Sequence, residues 1–162
     1  MIKYITEAFK IDDADVLWDK FMCFIRQIIP WGEEQLIQLS AVQKIPVIAF
    51  IYSSEVMGDG HNQFLDLYGA YIKKEDIIDA FKTLSIPKEY IENIEKIPAV
   101  FTLDAELTEN DLDEEKREKE MKRINEIFDE CDSLFYQYGN EQVDEKIIEY
   151  VRKYHLDFFE FK

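Results

Sequence analysis

Histidine and cysteine, from which most metal centres and many catalytic sites are assembled, occur only twice each in this chain of 162 residues. With His61 and His155 alone, no HExxH motif or Cys–His cluster can be formed, and no EF-hand loop is present. The spacing GxxxxGK[ST] of a phosphate loop is missing too, although Gly58-Asp59-Gly60 supplies a fragment of one. The expectation is a protein without cofactor, metal or catalytic residues. Cys23 and Cys131 are far apart and sit in apolar helical patterns, so both are expected as buried free thiols, which suits a reducing cytoplasm. No signal-peptide pattern opens the chain, and its longest apolar run, 45–52, is far short of the roughly 20 residues a spanning helix needs. A soluble, cytoplasmic protein is expected. Basic residues are also scarce: 19 stand against 35 acidic ones, a formal charge of −16. Repulsion of that size argues against direct binding of nucleic acid or anionic membranes and directs attention to basic partners.

Five glycines and four prolines are few, while 47% of residues are apolar and 14% aromatic, a composition that packs a core rather than remaining disordered. Residues 1–162 are therefore read as a single domain, an all-α compact bundle of about seven helices with little or no strand. Asp12, Asp13 and Asp15 open the first helix and Pro30 stops it. Ser40-Ala41-Val42-Gln43 has the form of a capping box, and the helix it opens is apolar nearly all round. Ser85-Ile86-Pro87 is expected to begin another helix, and 99–110 is the best linker candidate. From 111 to 138 the pattern is helical, with Met121, Ile124, Ile127, Phe128, Cys131, Leu134 and Phe135 on one stripe and Gly139 as the stop. Acids and bases alternate between Glu109 and Glu130, as on a solvated helix face. Asn140 is expected to cap the last helix, and the aromatic tail 155–161 to pack. Any strand is expected to be confined to 1–11 and 99–103.

The stretch 55–64 interrupts this helical pattern with two glycines, a histidine and polar side chains. Gly58 and Gly60 enter positive φ without steric cost, so a sharp turn between two helices is expected. Glu55, Asp59, Gly60, His61, Asn62, Gln63 and Phe64 are the candidate site. One reading is structural: Glu55 and Gln63 satisfy backbone groups left open at two helix ends, and Asp59 or Asn62 caps the second helix. Another is a binding surface. A third is a general acid–base site using His61 with Glu55 or Asp59.

The same residues carry a resemblance. Glu55-Val56, a glycine-containing turn, Gln63-Phe64 and a helix such as 76–84 resemble the bacterial DNA-mimic protein family, whose signature reads EV-N-N-G-G-F-x-Q-F/Y-F. The stretch Phe128-Asp129-Glu130-Cys131-Asp132-Ser133-Leu134-Phe135-Tyr136 is similar to its D-x-x-F-Y segment, and 147–159 to its closing helix, so the likeness covers roughly 40–161. The turn departs from the pattern: it reads Met57-Gly58-Asp59-Gly60-His61, with only the second glycine in place, and Leu67 stands where asparagine is often found. The resemblance implies a helical protein without known catalysis, in a family one of whose members mimics double-stranded DNA to occupy a transcription factor.

Duplex DNA carries about one charge per 1.7 Å, so the net charge corresponds to roughly eight base pairs, or about 27 Å of helix. A compact chain of this length, with a radius of gyration of about 15 Å, can span that. Three functions follow for test: an acidic module occupying a basic surface of a DNA-binding protein, an immunity-type protein neutralising a basic nuclease toxin, and an enzyme centred on Glu55, Asp59 and His61. A second copy of the chain stays open as a further partner.

Overall fold

The computed structural model describes residues 2–27, 33–97 and 114–162. The linker candidate 99–110, the strand candidate 99–103 and the first residues of the helix expected from 111 lie outside them, as does Pro30.

Among the described residues the elements run β1 (Tyr4–Thr6), α1 (Ala14–Gln27), α2 (Glu33–Gln38), α3 (Ala41–Tyr68), α4 (Lys74–Thr83), α5 (Lys88–Lys96), α6 (Glu114–Tyr138), α7 (Glu141–Lys153), α8 (His155–Phe158) and β2 (Phe159–Phe161). It is an all-α bundle with one small sheet. α3 is its axis: α4, α6 and α7 all pack against it, while α5 bridges α4 and α6, and α1 lies on α7. Val47, Ala49, Tyr52 and Val56 of α3 are fully buried, as expected for a helix apolar on nearly every side. A smaller core of Ile97, Ile124, Phe128 and Cys131 forms where α5 meets α6, with Leu65 packed against both cores.

Several local rules hold as read. Asp13 Oδ1 accepts from Val16 N–H at the start of α1. Ser40 and Gln43 exchange both bonds of the capping box. Gln43 does more: its Nε2 donates to the carbonyls of Ile2 at 2.6 Å and Asp157 at 2.7 Å. This buried amide thereby ties both chain termini to the start of the central helix. Gly139 ends α6 at φ 72°.

Elsewhere the structure corrects the expectations. The termini pair as a parallel two-stranded sheet, Tyr4 with Phe159 and Thr6 with Phe161, so the aromatic tail packs partly as strand β2. Ser85 does not begin a helix: at φ 57° it closes α4, with Ile86 N–H bonded to Phe81 O and Ser85 N–H to Lys82 O. Those are the two bonds of a Schellman motif, and α5 starts only at Lys88. Asn140 precedes α7 without a side-chain cap bond. Met121 is exposed, and Cys23 is only partly buried. No helix among the described residues is long and apolar enough to cross a membrane.

Candidate functional site

The sharp turn expected between two helices is a kink that parts α3 into two helical halves. Gly60 alone leaves helical geometry, at φ 83° and ψ 174°. That region is essentially closed to residues with a Cβ. Gly58 stays helical with nothing within 4 Å of where a Cβ would stand, so positive φ is needed at one glycine rather than two.

Breaking the helix at Gly60 exposes the N–H of His61, the first donor of the second half. Its acceptor comes from another helix. Asp132 of α6 accepts the His61 backbone N–H at 2.8 Å and its ring Nδ1–H at 2.5 Å through the same oxygen, Oδ1. Neither Asp59 nor Asn62 supplies this cap; both are exposed. On the other side of the imidazole, Nε2 lies 2.6 Å from the hydroxyl of Tyr52. With Nδ1 protonated toward the carboxylate, Nε2 is the acceptor and the phenol donates. Burial above all, then the charges of Cys131 and Asp132, push the Tyr52 phenol well above its usual pKa, so it keeps that proton.

Asp132, His61 and Tyr52 thus form the orienter–base–hydroxyl order of a nucleophilic triad, but the hydroxyl end is sealed. Tyr52 and His61 are fully buried. Edge contacts from Phe64, Phe81 and Phe135 surround the Tyr52 ring. A group with no open face cannot meet a substrate; what this chain does is lock α3 to α6 at the kink. The remaining candidates divide. Phe64 is buried and stacks on Tyr68. Glu55 accepts from the Tyr68 hydroxyl at 3.2 Å rather than from backbone; burial above all, then the charge of Glu55 and this bond, carries that phenol up to about 12. Gln63 is half-buried, while the phenol of Tyr136 is raised by burial first, then by the charges of Asp132 and Asp59.

Reading the residues alone missed Asp132 and Tyr52. Asp132 is 71 positions from His61, beyond the reach of any helical period, yet it lies in the Asp132-Ser133-Leu134-Phe135-Tyr136 segment that carries the resemblance. Its role as a cap in trans gives that segment a physical reason.

Acids and bases are intermixed along the first turns of α6, where Lys116, Arg117, Lys119, Lys122 and Arg123 alternate with Glu114, Glu115, Glu118 and Glu120. Carboxylates dominate elsewhere: Glu141, Asp144, Glu145 and Glu149 follow one another along α7, with Asp15 of the adjoining α1 nearby across an open groove. Among the described residues Glu149 pairs with Lys146 at 2.7 Å, whereas Asp15, Glu141, Asp144 and Glu145 make no ion pair. Burial, then the charge of Glu141, raises the Asp144 carboxyl to about 6. No cluster of three or more His, Cys, Asp or Glu among the described residues could hold a metal ion.

The structure thus combines a helical body, locked where α3 meets α6 by the Asp132–His61–Tyr52 chain, with exposed carboxylates on α1 and α7 that make no ion pair. Residues 37–154 match the family model described as DMP19-like protein, and the chain belongs to that family. This agrees at family level with the resemblance to DNA mimics, over an extent close to the 40–161 read from the sequence. No curated protein and no solved structure matches the chain.

Proposed function

We propose that this protein is a non-catalytic binding module that occupies a basic surface of a DNA-binding protein, its carboxylates standing where phosphates would stand. The observation that carries the reading is the set of carboxylates left without cationic partners along α7 and α1 in a chain of net charge −16. Glu141, Glu145 and Glu149 recur at four-residue steps, so one helix face offers a carboxylate about every 6 Å. That is sparser than a duplex, with about one charge per 1.7 Å, so a mimic must combine several faces, and α1 and α7 lie side by side to do so. Family membership supports the same reading. The sealed environment of His61 and Tyr52 speaks against the enzyme alternative at the kink.

The test is surface plasmon resonance with the protein immobilised and a panel of basic DNA-binding proteins from the same cell as analytes. At least one should bind, with affinity falling by more than tenfold between about 50 and 200 mM salt. Binding no stronger than to neutral control proteins, or binding indifferent to salt, would overturn the proposal.

A further inference from the structure

The groove between α1 and α7 has a volume of about 520 Å³ and opens broadly to solvent. Its apolar floor includes Trp18, partly buried, and Ile148, buried. The indole is fixed from behind by the rings of Phe21 and Phe50, at centroid distances of 6.0 and 5.9 Å. Carboxylates form the rim: Asp15 from α1, and Glu141, Asp144, Glu145 and Glu149 from α7, with Arg152 the one base among the lining residues. Arg152 is also held elsewhere, its Nε donating to the Ile11 carbonyl at 3.3 Å.

Two features narrow the occupant. The carboxylates are not grouped closely enough to share a metal ion, which leaves a polyatomic cation. The groove is too open to enclose most of a small molecule's surface, as a ligand pocket does, but it suits a side chain presented by a larger body. An aromatic face beside unpaired carboxylates favours guanidinium over ammonium, because the planar cation stacks on the ring while its fork of N–H groups pairs with oxygen.

We propose that this groove is the seat for an arginine-bearing segment of the basic partner, the guanidinium stacking on Trp18 and pairing with the carboxylates of α7. The assignment rests on the reading of the protein as an acidic binding module and names the face it uses. Trp18 lies outside the matched residues 37–154, as do Ala14 and Asp15, so the α1 wall of the groove is built by a part of the chain beyond the family match. Asp144 is half-buried there, faced by Asp15 across the groove and by Glu141, Glu145, Glu149 and Arg152 on its own helix. An arriving cation stabilises its ionised form, so affinity should fall as pH drops through about 6.

The experiment uses fluorescence anisotropy of a labelled oligo-arginine peptide and its oligo-lysine counterpart, at low salt and neutral pH. It compares the native protein, the double variant Asp15→Lys/Glu145→Lys, and a control of equal charge change outside the groove, Asp79→Lys/Glu95→Lys; all four positions are exposed. The groove variant should lose about tenfold or more in affinity for oligo-arginine and the control only about twofold, with oligo-lysine weaker than oligo-arginine on the native protein. Equal losses in both double variants would overturn the groove assignment while leaving the acidic-module reading intact. Failure of the native protein to bind either peptide would overturn both.

Discussion

Replacing Gly60 by alanine forces two changes at once. A Cβ on Gly60 would stand 2.6 Å from Asp132 Oδ2, inside the closest approach real Cβ atoms make. Asp132 is partly exposed, with 22% of its side-chain surface accessible, so the carboxylate can swing outward. Doing so strips His61 of the acceptor for both its backbone and ring N–H groups, and hydrogen bonds to a charged partner contribute about 1.5–3 kcal/mol. The backbone itself, at φ 83° and ψ 174°, costs a residue with a side chain a further 1–3 kcal/mol or so. Gly60→Ala should therefore lose about 3–5 kcal/mol, a large fraction of a typical domain's 5–15 kcal/mol. With a urea m-value of about 2 kcal/mol/M, the midpoint followed by circular dichroism should fall by roughly 2 M. Gly58→Ala is the internal control: helical and exposed, it should gain about 0.5–1 kcal/mol. In an Asp132→Ala background the clash has no object, so Gly60→Ala should cost only its backbone share, and the double-mutant cycle should show clear non-additivity. A Gly60→Ala protein within 0.5 kcal/mol or so of the parent would refute the assignment of kink and cap.

Three further outcomes are expected. Tyr52→Phe removes the donor to His61 Nε2 inside the core and should lower stability by about 1–3 kcal/mol in urea titrations, with little change if the phenol is replaced at the exposed Tyr136 instead. Ser85→Gly should raise stability by about 0.5–1 kcal/mol, measured as a higher Tm, because Ser85 holds φ 57° at the end of α4. Asp144 has a folded-state pKa raised to about 6 from 3.8, so the folded protein binds its proton more tightly than the unfolded chain and this group's contribution becomes less favourable as pH rises between those values. Discounted for the solvent that screens a half-exposed carboxylate, Asp144→Asn should stabilise by about 1 kcal/mol at pH 7 and by nearly nothing at pH 3.5, a difference read from paired denaturation curves at the two pH values.

The bundle was legible because its signals are local. Ser40 and Gln43 cap each other three residues apart, Asp13 caps α1, and Gly139 stops α6 at positive φ. The stretch 55–64 was legible as a place where the helix fails, and Gly60 is where it does. What completes the break was not, since Asp132 arrives from α6 and Tyr52 from two turns earlier in α3, and no periodic rule links either to His61. The same limit hid β2: residues 159–161 become strand by pairing with residues 4–6, beside the bonds of Gln43 to Ile2 and Asp157 that span 41 and 114 positions. Ser85 misled for another reason. A serine before Ile-Pro has the form of a helix start, but the Schellman bonds from α4 hold it in the left-handed region that glycine or asparagine more often fills. Charge was visible as a total and as the acid–base alternation along the start of α6; that unpaired acids of α7 and α1 line one groove needed the fold to put those two helices side by side.

The most direct test of DNA mimicry is a mobility-shift competition, in which the protein is titrated against a labelled duplex already bound to the basic protein that responds in surface plasmon resonance. Occupation of the DNA-binding surface predicts release of free duplex at near-stoichiometric protein, with a loss of potency as salt is raised. A slower-migrating complex containing duplex and both proteins would contradict it, because the carboxylates would then be docking somewhere the phosphates do not.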